Sequence, residues 1–297
     1  MKSLKEIALT TAIVAAPFTA QAGMKILDDS IMGGITGQAG VTIEMETRVD
    51  IGKLTYTDAG SFSVSGITLG GAGITTAGAV AGYDTLLNEL KVNIDINDVG
   101  DSVVRVGSMA TQNLSAWGGS PEVPAPIDWG LNAKTMALTS QGGSQSTILL
   151  SDLGGYGNLS QLDIVVHNDG VGSLQLGVGF NVVDMKFNVD FLGIGIKGMS
   201  LMGIDYIEAI AAQPEVEDML STTSFASASL NVYKGDSLGS SEAEGILRVD
   251  VSDVSMDLVI NDVIIGGSND DVASRSIGSI ALDNLVISET RLAVYGH

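Results

Sequence analysis

The chain has 297 residues, 45% of them hydrophobic, with no cysteine and a formal charge of −21 from 35 acidic against 14 basic side chains. Such a field repels phosphate backbones and anionic lipid surfaces, so nucleic acid is excluded as a partner. Disulfides are excluded by the cysteine count, zinc and copper sites have no ligand set with only two histidines, and the apolar content argues against wholesale disorder.

Lys2 and Lys5 precede an apolar run from Ile7 to Phe18 that closes on Ala20-Gln21-Ala22. A basic start, a short apolar stretch and an A-x-A step make a signal peptide, with cleavage expected after Ala22. The run is shorter than the roughly 20 residues a membrane-spanning helix needs. Residues 23–297 are then read as one exported all-β domain.

Met24–Met32 forms a short amphipathic lead, and the glycines of Gly33–Gly40 form a turn that feeds a first strand at Val41–Val49. The segment Leu27-Asp28-Asp29-Ser30-Ile31-Met32-Gly33-Gly34-Ile35-Thr36-Gly37-Gln38-Ala39-Gly40-Val41-Thr42-Ile43-Glu44 resembles the start of an uncharacterised family of exported proteins from Gram-negative bacteria. Some members of that family are labelled as pilus-system components. The similarity runs over residues 22–73, taking in Asp50-Ile51-Gly52 and the Gly-Gly-Ala-Gly stretch at 70–73. It implies a cell-surface or outer-membrane location and brings no catalytic residues.

Further along, Tyr83–Leu90 reads as a brief helix, and Val92, Ile94 and Ile96 alternate with polar residues as in a half-buried strand. The Asn97–Asp101 cluster reads as a turn, and with Asp95 it offers calcium the oxygen ligands Asp95, Asn97, Asp98 and Asp101. Neither this turn nor Asn269, Asp270 and Asp271 follows the spacing of a calcium-binding loop, so solvated acidic turns are the plainer reading. Gly118–Gly130 carries three of the five prolines and reads as a surface loop.

Alternation then dominates: Leu162, Ile164 and Val166; Leu174 to Val182; Val183 to Phe191; Ala228 to Val232; Leu247 to Val251; Val254 to Ile260; and Ile277 to Val294. Asn168-Asp169-Gly170 reads as a turn, and Leu201–Ala212 as a second helix, ended by Pro214. Gly193-Ile194-Gly195-Ile196-Lys197-Gly198 matches the dinucleotide-binding glycine pattern, but the neighbouring segments lack strand-helix-strand alternation. Gly235-Asp236-Ser237-Leu238-Gly239 matches the nucleophile block of a lipase and esterase family, and Gly267-Ser268-Asn269-Asp270 echoes a second block. A serine nucleophile needs a base held by a third group, and neither His167 nor His297 stands in a D-x-x-H setting.

These elements predict an antiparallel sandwich or meander of long strands with one or two short helices. The echo between residues 61–71 and 257–267 keeps a β-solenoid as the alternative. Aromatic content of 5% is low for the two girdles of a membrane-spanning barrel, which is disfavoured. The expected function is a non-catalytic structural or adhesive surface protein without a cofactor, partnered by other surface or pilus proteins or by its own copies. The alternative is a periplasmic or outer-membrane protein holding an apolar ligand between sheets.

Overall fold

The structure is a computed structural model that describes residues 40–74, 82, 85–113, 122–170, 172–214, 217, 220, 223–239, 244–266 and 276–295. The expected signal peptide at 1–22, most of the lead at 24–40 and the Asn269–Asp271 cluster lie outside these residues. Contact clustering separates residues 1–39 from a unit at 40–297, and it is this second unit that the described residues represent.

The described residues build one antiparallel sheet of thirteen strands. In order these are β1 (Val41–Thr47), β2 (Val49–Thr57), β3 (Gly60–Gly70), β4 (Leu87–Ile96) and β5 (Ser102–Ser108). The two-residue strands β6 (Thr111–Gln112) and β7 (Val123–Pro124) pair only with each other. Then come β8 (Ile127–Ser140), β9 (Ser146–Val166), β10 (Leu174–Val189), β11 (Ile194–Met202), β12 (Ala226–Gly235), β13 (Ile246–Ile265), β14 (Ile280–Ile287) and β15 (Thr290–Val294). A single helix with all its residues described, α1 (Tyr206–Ala212), lies between β11 and β12.

The pairings resolve this list into a simple plan. The long strands β9, β10 and β13 run the full height of the sheet, and each carries two shorter partners end to end on one edge. Along β9, β8 covers Ser146 to Leu159 and β5 covers Leu162 to Val166. Along β10, β12 covers Leu174 to Phe180 and β11 covers Val182 to Val189. Along β13, β12 and β11 share one edge while β15 and β14 share the other. The sheet therefore has two tiers of eight strands. Tier 1 reads β2-β3-β8-β9-β10-β11-β13-β14, and tier 2 reads β1-β4-β5-β9-β10-β12-β13-β15.

Followed along the chain, the two tiers are one up-and-down meander of eight passes: β1 with β2, β3 with β4, β5 with β8, β9, β10, β11 with β12, β13, and β14 with β15. Three passes change strands at the midline, between Gly70 and Leu87, between Ser108 and Ile127, and between Met202 and Ala226, and α1 falls in the last of these gaps. Turns at the tier ends use the expected chemistry. Asn97 Oδ1 accepts from the amides of Val99 and Asp101, and Gly193 takes a left-handed conformation after the 3-10 turn at Asp190–Leu192.

An all-β meander is what the alternation predicts, and the solenoid alternative does not hold. The echo that suggested it has a local cause. In β3 the apolar phase runs Phe62, Val64, then Ile67, Leu69, with the slip at Gly66, whose φ is +61°. In β13 it runs Leu258, Ile260, then Val263, Ile265. β11 carries the facing slip at Gly198, φ +61°. A left-handed residue within a strand moves the apolar side chains to the other parity without ending the strand. Strands with such a change of phase, which keep their register through it, thus look like repeats in sequence.

Three further expectations need correcting. Leu87–Leu90 opens β4, so the brief helix at 83–90 is absent from its described C-terminal half, where Leu90 is buried against the sheet. The second helix is shorter than expected, because Leu201 and Met202 belong to β11. The loop at 118–130 ends early, since Ile127–Gly130 already pair with β9 in tier 1.

Candidate functional site

Among the described residues no group of three or more His, Asp or Glu side chains is placed to hold a metal ion. Asp95 and Asp101 of the acidic turn engage their oxygens in hydrogen bonds within the turn and, for Asp101, with His167 and Asn168. Asp95 Oδ1 accepts from the Ile96 amide, and Asp101 Oδ2 accepts from Asn97 Nδ2. The amide of Asn168 donates to Asp101 Oδ1 at 2.8 Å, and with Asn97 and His167 it holds this carboxyl below the usual carboxylate range. Asp95, Asn97 and Asp101 serve as turn braces here, and Asp98 is exposed.

His167 Nδ1 lies 3.2 Å from Asp101 Oδ2, and Nε2 lies 3.3 Å from Gln175 Oε1. The carboxylate-histidine half of a hydrolytic triad is therefore present, with a carboxamide standing where a nucleophile would be. Ser237 sits in the connection after β12, which leads into β13. The nucleophile elbow requires a strand leading into a helix. The glycine motif at 193–198 opens β11 in an antiparallel setting, so its backbone amides serve the sheet ladder.

The most developed polar cluster lies on β12, β13 and the start of β15. Arg248, 8% exposed, donates to Asp250 Oδ1 at 2.9 Å and to the carbonyls of Asp236 and Leu292. It also stands 5.7 Å from the Tyr233 ring centre, and Tyr233 donates to Asp250 Oδ2 at 2.7 Å. Burial raises the Asp250 carboxyl, but the hydrogen bonds from Tyr233 and Arg248 outweigh it and hold the group low. The same bond to Asp250 pushes the Tyr233 phenol up. These groups line an open cleft of about 570 Å³ with Glu289 and Arg291. Arg248 is consumed in tying β15 and the β12–β13 connection to the sheet, a structural role illegible in the alternation around it.

A second polar anchor stands at the midline. Asp257, 1% exposed, accepts from the amide of Ile207 at 2.9 Å and from the amide of Asn284 at 2.7 Å. One carboxylate thus fixes the start of α1 and the left-handed residue of β14, Asn284 at φ +55°. In an open cleft beside α1, burial raises the carboxyl of Asp184.

What distinguishes the molecule is the face of its sheet. Residues opposite each other in antiparallel register project to the same side. In tier 2 one row runs Val41, Ile94, Val104, Ile164, Leu176, Leu230 and Val251 across seven strands before reaching Thr290. The adjacent row, on the other side, runs Thr42, Asn93, Arg105, Asp163, Gly177 and Ser229 to Asp253. The first row is apolar from β1 to β13, and the second is polar or glycine throughout. The apolar row is half-buried in the middle and exposed at both ends, at Val41, Ile94 and Val251's neighbour Thr290.

The edges are the least covered parts. β2 is exposed at every residue, with Tyr56 at 68%, and β1, β14 and β15 are exposed at all but one residue each. Each edge strand pairs on one side only, β1 with β4, β2 with β3, and β14 and β15 with β13. The exposed aliphatic side chains here belong to the edges of the sheet, and edge strands with free ladder groups are templates for further strands.

A family of unknown function, DUF6160, matches residues 1–98. Within the described residues that span holds β1 to β4, the first two passes, and it includes the N-terminal segment whose resemblance to an uncharacterised family is noted above. No curated protein and no solved structure matches the chain.

Proposed function

We propose that the protein is an exported, non-catalytic structural protein of the cell surface or outer membrane, which joins other chains through its sheet edges and apolar face. The observation that carries this reading is the pairing plan. Eight antiparallel passes end in two edges exposed on both faces, one formed by β1 and β2 and the other by β14 and β15. Strand addition at such edges is a general mode of assembly among extended polypeptides. Export rests on the leader at 1–22, and a place beside pilus components rests on the resemblance at 22–73 alone.

A second reading draws on the apolar rows of tier 2. Their half-buried middle could receive an acyl chain or another apolar ligand in a periplasmic setting.

One experiment separates the two. Intact cells are treated with a protease that does not cross the outer membrane, a periplasmic protein serving as the control. Digestion is the result expected for a surface structural protein. Protection with an intact control sinks that reading, and apolar ligand extracted from the purified chain and identified by mass spectrometry then supports the second.

A further inference from the structure

The two open edges are complementary to each other. Register fixes their directions: β1 and β2 run from tier 2 to tier 1, while β14 and β15 run from tier 1 to tier 2. Laid side by side they are antiparallel. Their lengths also agree, since one edge spans residues 41–57 and the other 280–294.

The phase slips agree as well. Along β2 the apolar residues are Val49 and Ile51, then Leu54 and Tyr56. Along β14, read backwards, they are Ile287 and Leu285, then Leu282 and Ile280. Placing Val49 opposite Ile287 brings Ile51 to Leu285, Leu54 to Leu282 and Tyr56 to Ile280, with both slips at the same level. That register sets Lys53 directly opposite Asp283. With one residue bulged near Glu46, Val41 meets Val294, Ile43 meets Leu292, and Glu44 lies opposite Arg291, which in the isolated chain pairs with Glu289. Opposite charges across a strand pair favour a register, and like charges disfavour it. Pairing of the first edge with itself does not meet both conditions at once: when Glu44 meets Lys53, Glu46 falls opposite Ile51, and the self-register that matches the apolar residues, Val49 with Tyr56 and Ile51 with Leu54, sets Lys53 opposite Gly52 and pairs no opposite charges.

We propose that the first pass of one copy, β1 with β2, adds to the last pass of a second copy, β14 with β15, in this antiparallel register. The inference rests on the structural reading above and names its partner, a second copy of this chain. The contact is head to tail, so each added copy presents a fresh edge and the apolar rows continue across the junction. An interface of this kind grows into a filament unless its rotation closes a ring.

The cysteine-free chain allows a direct test. Mature Lys53→Cys protein and mature Asp283→Cys protein are oxidised with glutathione disulfide, separately and mixed. The mixture is expected to give a cross-linked dimer at least tenfold more abundant than either variant alone, and the double variant a ladder of multimers on a non-reducing gel. A mixture no more cross-linked than its components overturns the register, and a double variant that cross-links only within one chain overturns the second copy as partner. Neither result bears on digestion at the cell surface, so failure of self-addition and failure of the surface reading remain separate.

Discussion

At the scale of single residues, the buried polar groups set the architecture, and Asp257 is the one with most at stake. Its two oxygens satisfy backbone amides from two different segments, Ile207 and Asn284. A buried amide left without a partner costs about 1–3 kcal/mol, and more when the lost acceptor was charged. Asp257→Ala should therefore lower the unfolding free energy by roughly 2–4 kcal/mol, measured by urea denaturation. Asp257→Asn keeps one acceptor oxygen and should lose about half as much. Equal losses for the two variants would show that packing, not the pair of hydrogen bonds, is what Asp257 supplies. This role was illegible in the sequence, where Asp257 stands among alternating residues as an ordinary outward position. Its partners lie 50 and 27 residues away. The Asn97–Asp101 turn was legible because the hydrogen bonds that Asn97 Oδ1 accepts are local, whereas the bonds from Asn168 and His167 to Asp101 join positions more than sixty residues apart and left no sign in the sequence.

At the scale of elements, strands were easy to find and their continuity was not. Leu174 to Val182 and Val183 to Phe191 read as two strands in sequence, yet they are one strand, β10, with a bulge between Val182 and Asp184. Leu247 to Val251 and Val254 to Ile260 are likewise both β13. A change of phase without Gly, Pro or a polar cluster marks a bulge and not a turn. Gly198 shows what a slip demands. Its φ of +61° favours glycine, and a Cβ there would lie 2.7 Å from Asn261 Nδ2. Gly198→Ala should cost about 1–2 kcal/mol from the backbone alone, by the usual penalty for an L side chain in the left-handed region. Repeating it on an Asn261→Ala background should remove the contacts with Nδ2 and Cγ, while the Cβ of residue 261 stays 3.0 Å away, and leave the backbone cost. Gly177→Ala, where nothing lies within 4 Å of the new Cβ, should change stability by no more than about 0.5 kcal/mol. If thermal melts place Gly198→Ala beside Gly177→Ala, the slip does not depend on the left-handed residue.

At the scale of the whole molecule, two properties would oppose each other in the proposed self-addition. The apolar rows and open edges favour addition of copies, while a formal charge of −21 makes every copy repel the next. The alternation announced the amphipathic sheet from the sequence, but only the register showed that the apolar row runs unbroken from β1 to β13, because facing partners come from distant passes. Which force prevails depends on ionic strength. The Debye length falls from roughly 30 Å at 0.01 M salt to about 10 Å at 0.1 M, so repulsion summed over a whole copy is screened strongly. The two edge pairs of the proposed register, Lys53 with Asp283 and Glu44 with Arg291, would act at contact and be weakened less. Self-association should accordingly increase as sodium chloride rises from about 0.01 to 0.3 M, read by sedimentation velocity at fixed protein concentration. Lys53→Asp protein should associate less at every salt concentration, and an equimolar mixture of it with Asp283→Lys protein should recover association, because each mixed junction again brings opposite charges together. Association that declines with salt would mean that attraction between charges, and not burial of the apolar edges, drives the copies together.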